Sequence, residues 1–261
     1  MMKPPMGSQI DFSHPLARGL VGCWLMNEGS GNKIYDLSSN GNDGTLKNGP
    51  VWKPGRDGVA LSFDGTDDYV DCGNRLVLSI SQALTILAWV KINGAQQNKG
   101  IITKYYAGGG KRSYGIYTDE NSLTRKVTFT YQRNAGTYTA DDTVTSASQL
   151  SDNIFTQVAC VFIPSTSATV FMNGVRDAQD VVDIQSGIAG STANLWLGNS
   201  GDNQRFSGLI SSVSIYNRAL SAAEIQDLYV NPYAFIHDPH KYWLMPQGVT
   251  IPPHILHRRA A

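Results

Sequence analysis

Residues 168–177 read "ATVFMNGVRD", an apolar run that reaches Asn173-Gly174 and turns back. Asn and Gly tolerate the positive φ angles of a two-residue type I′ turn, so this pair predicts a β-hairpin. The same grammar recurs outward from it. "KVTFTYQ" (126–132) alternates, with Val127, Phe129 and Tyr131 on one face and Thr128, Thr130 and Gln132 on the other. "LVGCWLM" (20–26), "TQVACVFI" (156–163), "NLWLGN" (194–199) and "SGLISSVSIYN" (207–217) read as further strands. "LTILAWVKI" (84–92) is apolar on both faces, the pattern of a central strand covered on two sides. "VALSF" (59–63) and "YVDCG" (69–73) flank "DGTDD" and predict a second hairpin with an Asp-Gly turn.

One helix interrupts this pattern. In "LSAAEIQDLY" (220–229), Ser221 and Glu224 have the spacing of a capping box, and Leu220 with Ile225 that of a hydrophobic staple. Asn231-Pro232 stops it. Many short strands, Gly-rich turns and one short helix predict an all-β, antiparallel two-sheet sandwich. A core of that kind is within reach of 261 residues without covalent staples.

Composition narrows the function. Lys plus Arg and Asp plus Glu each number 21, so no basic face is available for a phosphate backbone, and nucleic acid is excluded as a partner. Only Glu28, Glu120 and Glu224 are glutamates; the other acidic residues are Asp, which favours turns and caps over helices. No stretch has the apolar length of a membrane span, and "MMKPPMGSQIDFSHPLARG" lacks the apolar region of a secretory signal. Cys23, Cys72 and Cys160 lack metal-ligand spacing, and the apolar runs around Cys23 and Cys160 predict buried free thiols and a reducing compartment.

The chain divides into an amino-terminal arm (1–19), a sandwich (20–230) and a tail (231–261) rich in proline and aromatic residues. A solvated linker would not carry so many large apolar groups. The tail therefore either packs on its own domain or docks on a partner, with Tyr233, Phe235, Tyr242, Trp243 and Leu244 as the anchors.

Catalytic constellations are missing from the sequence. None of the glutamates has another within reach, and Asp67-Asp68 and Asp141-Asp142 are adjacent pairs that point to opposite faces when extended. "GNSGD" (198–202) is not a nucleophile elbow, and "AGGGKRS" (107–113) lacks the glycine, the hydroxyl and the following helix of a phosphate loop. His237 and His240, like His254 and His257, sit among prolines with no further ligands to complete a metal site.

Two binding possibilities remain. "DLSSNGNDG" (36–44) offers Asp36, Asn40, Asn42 and Asp43 as oxygen ligands for one calcium ion, and the same residues are those that make turns. Tyr105, Tyr106, Tyr117 and Tyr138 could stack on sugar rings or serve as half-buried strand-end tyrosines. Trp24, Trp89 and Trp196, set in apolar strands, are assigned to the core.

Taken in order, "LVGCWLMNEGSGNKIYDLSSNGNDGTL", "LSFDGTDDYVDCG", "LTILAWVKI", "ATVFMNGV", "LWLGN" and "FSGLISSVSIYNRALSAAEIQDLY" resemble the laminin-G-like, concanavalin A-like jelly-roll family from about residue 18 to 230. The resemblance implies two antiparallel sheets packed face to face and a glycan- or protein-binding module. It also implies a calcium site at the loop after Asp36, completed by an aspartate on the last long strand, where this chain has Ser211. "IDFSHPLARGLVGCWLMNEGSGN" and "LYVNPYAFI" resemble more particularly the stand-alone forms among tailed-bacteriophage structural proteins. That implies a non-catalytic virion subunit (head decoration, fibre or tail-associated) assembled in the host cytoplasm. Its partners would be other virion proteins, its own copies and cell-surface glycans. The alternative is a free-standing lectin.

Overall fold

The computed structural model describes residues 2–106, 111–119, 124–133, 141–181, 184–201 and 204–237, with the backbone alone at Tyr106, Lys111 and Asp141. Along the chain the strands are β1 (Gln9–Ile10), β2 (Leu20–Trp24), β3 (Lys33–Ile34), β4 (Gly44–Lys47), β5 (Val51–Pro54) and β6 (Val59–Asp64). Then come β7 (Tyr69–Asp71), β8 (Leu84–Ile92), β9 (Gly100–Tyr106), β10 (Lys111–Thr118), β11 (Val127–Gln132) and β12 (Asp141–Thr145). The rest are β13 (Thr156–Ile163), β14 (Ser167–Met172), β15 (Val175–Asp180), β16 (Trp196–Leu197) and β17 (Ser207–Tyr216), helix α1 (Ala222–Val230), and β18 (Ile236–His237).

Two antiparallel sheets stack as a jelly-roll sandwich, as the strand pattern predicts. One runs β15-β14-β13-β8-β17-β6-β5, with β2 added alongside β17; the other runs β12-β11-β10-β9-β16-β7-β4-β3. The core between them takes alternate side chains from both: Ile86, Ala88 and Val90 from β8 meet Ile116, Phe129 and Tyr131 from the facing sheet. Tyr131 packs its ring 4.8 Å from that of Phe162, across the interface. The three cysteines are free and buried.

The hairpin that opens the sequence reading is present. Met172 pairs with Val175 around Asn173 (φ 51°) and Gly174 (φ 80°). A Cβ on Gly174 would come within 2.6 Å of Gln226 Oε1, because α1 lies across the turn. The helix starts as its residues require: Glu224 N–H donates to Ser221 Oγ and Ser221 N–H donates to Glu224 Oε2, at 3.2 and 2.8 Å.

The second predicted hairpin is absent. β6 pairs with β5 and β17 in one sheet, whereas β7 pairs with β4 and β16 in the other, so "FDGTDD" carries the chain across the sandwich. Both strands still aim apolar residues at one core, Leu61 and Phe63 from one side and Val70 and Cys72 from the other. Two strands that face each other across a core and two that pair edge to edge share the same alternation, so the pattern alone does not separate them.

The outer face of the β8 sheet is covered too. Leu16, Leu20, Leu87, Val161, Phe171, Tyr216, Ile225, Tyr233 and Phe235 form a second apolar cluster under the arm, α1 and the start of the tail. β1 pairs with β18, which ties arm to tail, and the Trp89 ring stacks on Tyr229 at 5.7 Å. Burial on both faces explains why β8 is almost continuously apolar. Among the described residues no helix is long and apolar enough to cross a membrane.

Candidate functional site

The outward face of the second sheet, on the side of β4, β7 and β16, carries the most promising surface. Register places Thr45, Asp71, Trp196 and Thr103 side by side across four strands, with Lys47 beside Tyr69 one step along. Their alternates, Leu46, Val70, Leu197 and Ile102, face the core. Trp196 and Tyr69 are each half-buried and meet edge to face with ring centroids 5.8 Å apart. The Arg205 guanidinium lies over the Tyr69 ring, 5.1 Å from its centroid.

Polar groups flank this pair. Asp71 accepts hydrogen bonds from Gly73 N–H at 2.9 Å and from Asn194 Nδ2 at 2.9 and 3.1 Å, which holds its carboxylate in one orientation. A shallow cleft of about 470 Å³ opens beside it, lined among others by Asp43, Thr45, Lys47, Asn74 and Arg75. Asp71 belongs to both the cleft and the row that carries the aromatic pair, so polar groups for a sugar's hydroxyls lie next to rings that can meet its C–H face.

Trp196 was assigned to the core from sequence, and the structure corrects that. Leu195 and Leu197 on either side of it are fully buried, so period two turns Trp196 outward. The signal was legible in "LWL" and was outweighed by the size of the ring. Trp24 and Trp89 are buried as assigned, with the Trp24 indole donating to Asn42 O at 2.8 Å.

The tyrosines proposed as sugar platforms fare differently. Tyr105 and Tyr117 are brought together, 5.9 Å apart and edge to face, but remain only 8% and 5% exposed. The 198–201 segment crosses this stretch of the sheet: Thr103 Oγ1 donates to Asn199 O at 2.6 Å and Gly201 N–H to Tyr105 O at 3.3 Å. At that burial neither ring offers a face to a sugar, and the Arg112 guanidinium lies over the Tyr105 ring, 5.1 Å from its centroid. Tyr138 and the side chain of Tyr106 lie outside the described residues.

The loop after Asp36 assembles its predicted members around a carboxylate. Asp36 Oδ1 accepts from the N–H groups of Cys23 and Ser38, both at 2.9 Å. Its Oδ2 accepts from Ser38 Oγ, Asn42 N–H and Asn42 Nδ2 at 2.7, 3.0 and 2.7 Å. Asn40 Nδ2 donates to Val21 O at 3.1 Å, and Asp43 Oδ1 accepts from Asp36 N–H at 3.0 Å. Five donors aimed at one carboxylate use up its roughly four lone-pair positions and turn positive hydrogens toward it. A calcium ion needs those lone pairs, so Asp36 does not fit as its ligand. The loop is held together by an internal anion.

Other carboxylates also have structural work. Glu28 Oε1 accepts from Tyr35 N–H at 2.8 Å, Glu224 caps α1, and Glu120 lies outside the described residues. Asp64, Asp67 and Asp68 gather with ligand atoms within 4.8 Å of one another in the crossover turn. Asp64 Oδ1 accepts from Thr66 N–H and Asp68 Oδ2 from Asp64 N–H, at 2.7 and 3.0 Å, so two of the three brace that turn. Burial, and then the neighbouring Asp64 and Asp67 charges, raise the Asp68 carboxyl above the usual range.

Of the predicted docking anchors, Tyr233 and Phe235 are 8% and 1% exposed within the outer apolar cluster, and Tyr233 Oη donates to Asp57 Oδ2 at 3.2 Å. They pack in cis and present nothing to a partner. Tyr242, Trp243 and Leu244 lie outside the described residues, as do His240, His254 and His257.

A two-sheet jelly roll with an open polar–aromatic patch on one outer face is the architecture of lectin-like modules. The family model described as the concanavalin A-like lectin/glucanases superfamily matches residues 64–226, more than half of the chain, and the chain belongs to that superfamily. A comparison with curated proteins gives no match.

Among solved structures the fold is similar to the binding domain of Paraclostridial Mosquitocidal Protein 1, with a TM-score of 0.65 at 17% identity. That alignment covers 84% of this chain and 53% of the other. Domain 4 of AbnA, a GH43 extracellular arabinanase from Geobacillus stearothermophilus solved with arabinotriose, gives 0.58 at 18% identity, covering 80% of this chain and 98% of that one. Trypanosoma rangeli sialidase in complex with sialic acid gives 0.60 at 16% identity, and the match covers 83% of this chain and 33% of the enzyme. This chain thus spans about half of the toxin domain and a third of the sialidase; at such identities the likeness concerns the fold.

Proposed function

We propose that this protein is a non-catalytic carbohydrate-binding module whose sugar site is the outward patch of Tyr69, Asp71, Asn194 and Trp196. The observation that carries the reading is Trp196: a large ring turned away from the core and partly exposed beside an oriented carboxylate–amide pair. Large aromatic rings are the usual anchors where a few residues dominate binding. Support comes from the similar fold of AbnA domain 4, whose structure holds arabinotriose.

The test is a glycan array with the purified chain displayed multivalently, run in calcium and again in chelator, beside the Trp196→Ala variant. Binding that weakens in the variant and persists in chelator is the expected result. Binding undiminished in the variant removes the site from this patch.

The finer reading is that the module belongs to a tailed-bacteriophage particle, where many copies would add weak sugar contacts through avidity. It rests on the resemblance of the two terminal stretches, and it requires that the chain be detected by mass spectrometry in purified virions at stoichiometric amounts.

A further inference from the structure

Lys3, in the amino-terminal arm, is 9% exposed. Its Nζ donates to the backbone carbonyls of Met26 at 3.2 Å, Ser211 at 2.5 Å, and Val59. These come from three separate segments: the stretch just after β2, the start of β6 and the middle of β17.

Two of the carbonyls are brought there by departures from regular backbone. Met26 has φ 47°, in the left-handed region that costs a non-glycine residue energy. Ser211 lies at the register shift between Ile210 and Ser212 where β17 pairs with β8. A bulged residue is left out of the ladder, so its carbonyl is available to a side chain. Three acceptors then meet the three N–H groups of one lysine ammonium. The arm's backbone is held as well: Lys3 N–H donates to Asp57 O at 2.8 Å, and Asn27 Nδ2 donates to Pro4 O at 2.7 Å.

We infer that Met26, Val59 and Ser211 form a lysine-binding cage, a peptide site that the chain fills with its own Lys3-Pro4-Pro5 segment as a tethered ligand. The cage anchors more than the lysine. The arm continues into β1, which pairs with β18, so the lid over the outer apolar cluster is fastened at this end by the Lys3 side chain together with the Asp57 and Asn27 bonds to the arm's backbone. The charged groups acting on the amine are Asp57, on the turn after β5, and Glu28, after β2. Burial pushes the amine down to about 7 from 10.5, against the pull of those two carboxylates.

The full chain carrying Lys3→Ala tests the cage by hydrogen exchange at Asp11, whose amide donates to Phe235 O across the arm and tail at 2.8 Å. Exchange there is expected to speed at least tenfold in Lys3→Ala. Adding n-butylammonium chloride, the free counterpart of the side chain, should slow it again in a saturable way. Sodium chloride at equal ionic strength should not, and the wild-type chain should respond to neither. Exchange at the wild-type rate in Lys3→Ala, or no recovery with n-butylammonium, overturns the inference. Should that variant not fold, reductive methylation of the wild-type chain decides. Lys3 is expected to react at least tenfold more slowly than exposed Lys47, and equal rates overturn the cage.

Discussion

The Trp196 indole meets the Tyr69 phenol ring edge to face at 68°, with both rings on the solvent side of the sheet and Asp71 next to them in register. The pair forms a stiff platform: each ring limits the other's rotation, and Arg205 lies over Tyr69. Replacing Trp196 by Ala is expected to lower affinity for the cognate glycan by about 10–30-fold, the equivalent of roughly 1.4–2 kcal/mol. Titration calorimetry on the best array hit measures it. Circular dichroism should show the fold unchanged, because Leu195 and Leu197 still fill the core.

Asp36 is the hub of its loop, and removing the hub leaves buried donors without an acceptor. Asp36→Ala should destabilise the chain by about 3 kcal/mol, at the upper end for unsatisfied buried partners. Urea unfolding of the wild type should give the same midpoint in calcium and in chelator. A midpoint raised by calcium would show that the loop takes a cation after all.

Glu224 links α1 to the strand before it through Arg218, whose Nη2 lies 2.7 Å from Oε1. The Arg218 hydrogen bond is the largest of the influences holding the carboxyl below its usual pKa, followed among the stabilising ones by the bonds from Ser221. A group depressed in the folded state adds stability that is present above its unfolded pKa and lost as pH falls through the folded one. Glu224→Gln should therefore flatten the acid side of the stability–pH profile below about pH 4.5 and leave its neutral limb parallel to wild type. Ser221→Ala should cost about 1 kcal/mol at neutral pH by removing the cap. Thermal melts across pH check both.

Gly198 turns the chain out of β16 with φ 81°, and a Cβ there would collide with the ring of Phe63. Gly198→Ala combines a left-handed non-glycine residue with core overpacking, an expected loss of about 2–4 kcal/mol. It should also weaken glycan binding, since the displaced segment leads to Arg205. A variant as stable as wild type would mean that the turn relaxes freely.

Much of the architecture was legible in local chemistry. Asn173-Gly174 specified a turn because few other pairs accept its backbone angles, and Ser221 with Glu224 specified a helix start because both partners lie within four residues. The two-sided apolar run of β8 announced a strand covered on both faces. Where pairing depended on distant chain the reading failed. "FDGTDD" looked like a hairpin turn because Phe63 and Val70 are apolar in either arrangement; only the partners Gly208 and Leu46 show that they belong to opposite sheets.

The same division runs through the site. By itself the sequence determined that this is a β-sandwich with a capped helix and buried thiols, since alternation, caps and composition act over a few residues. Tertiary structure alone decided which aromatic rings meet solvent, because exposure depends on what lies on top. Tyr105 and Tyr117 are buried against each other with the Arg112 guanidinium over the Tyr105 ring, Tyr233 and Phe235 lie under the lid they help to build, and Trp196 is left partly exposed. It likewise decided the fate of Lys3, whose amine is met by carbonyls from segments far away in the chain, and added the Cys23 amide to the donors that the Asp36 loop supplies itself. Charge and size are written in the residue, but the partners that neutralise, cover or expose it come together only when the chain folds.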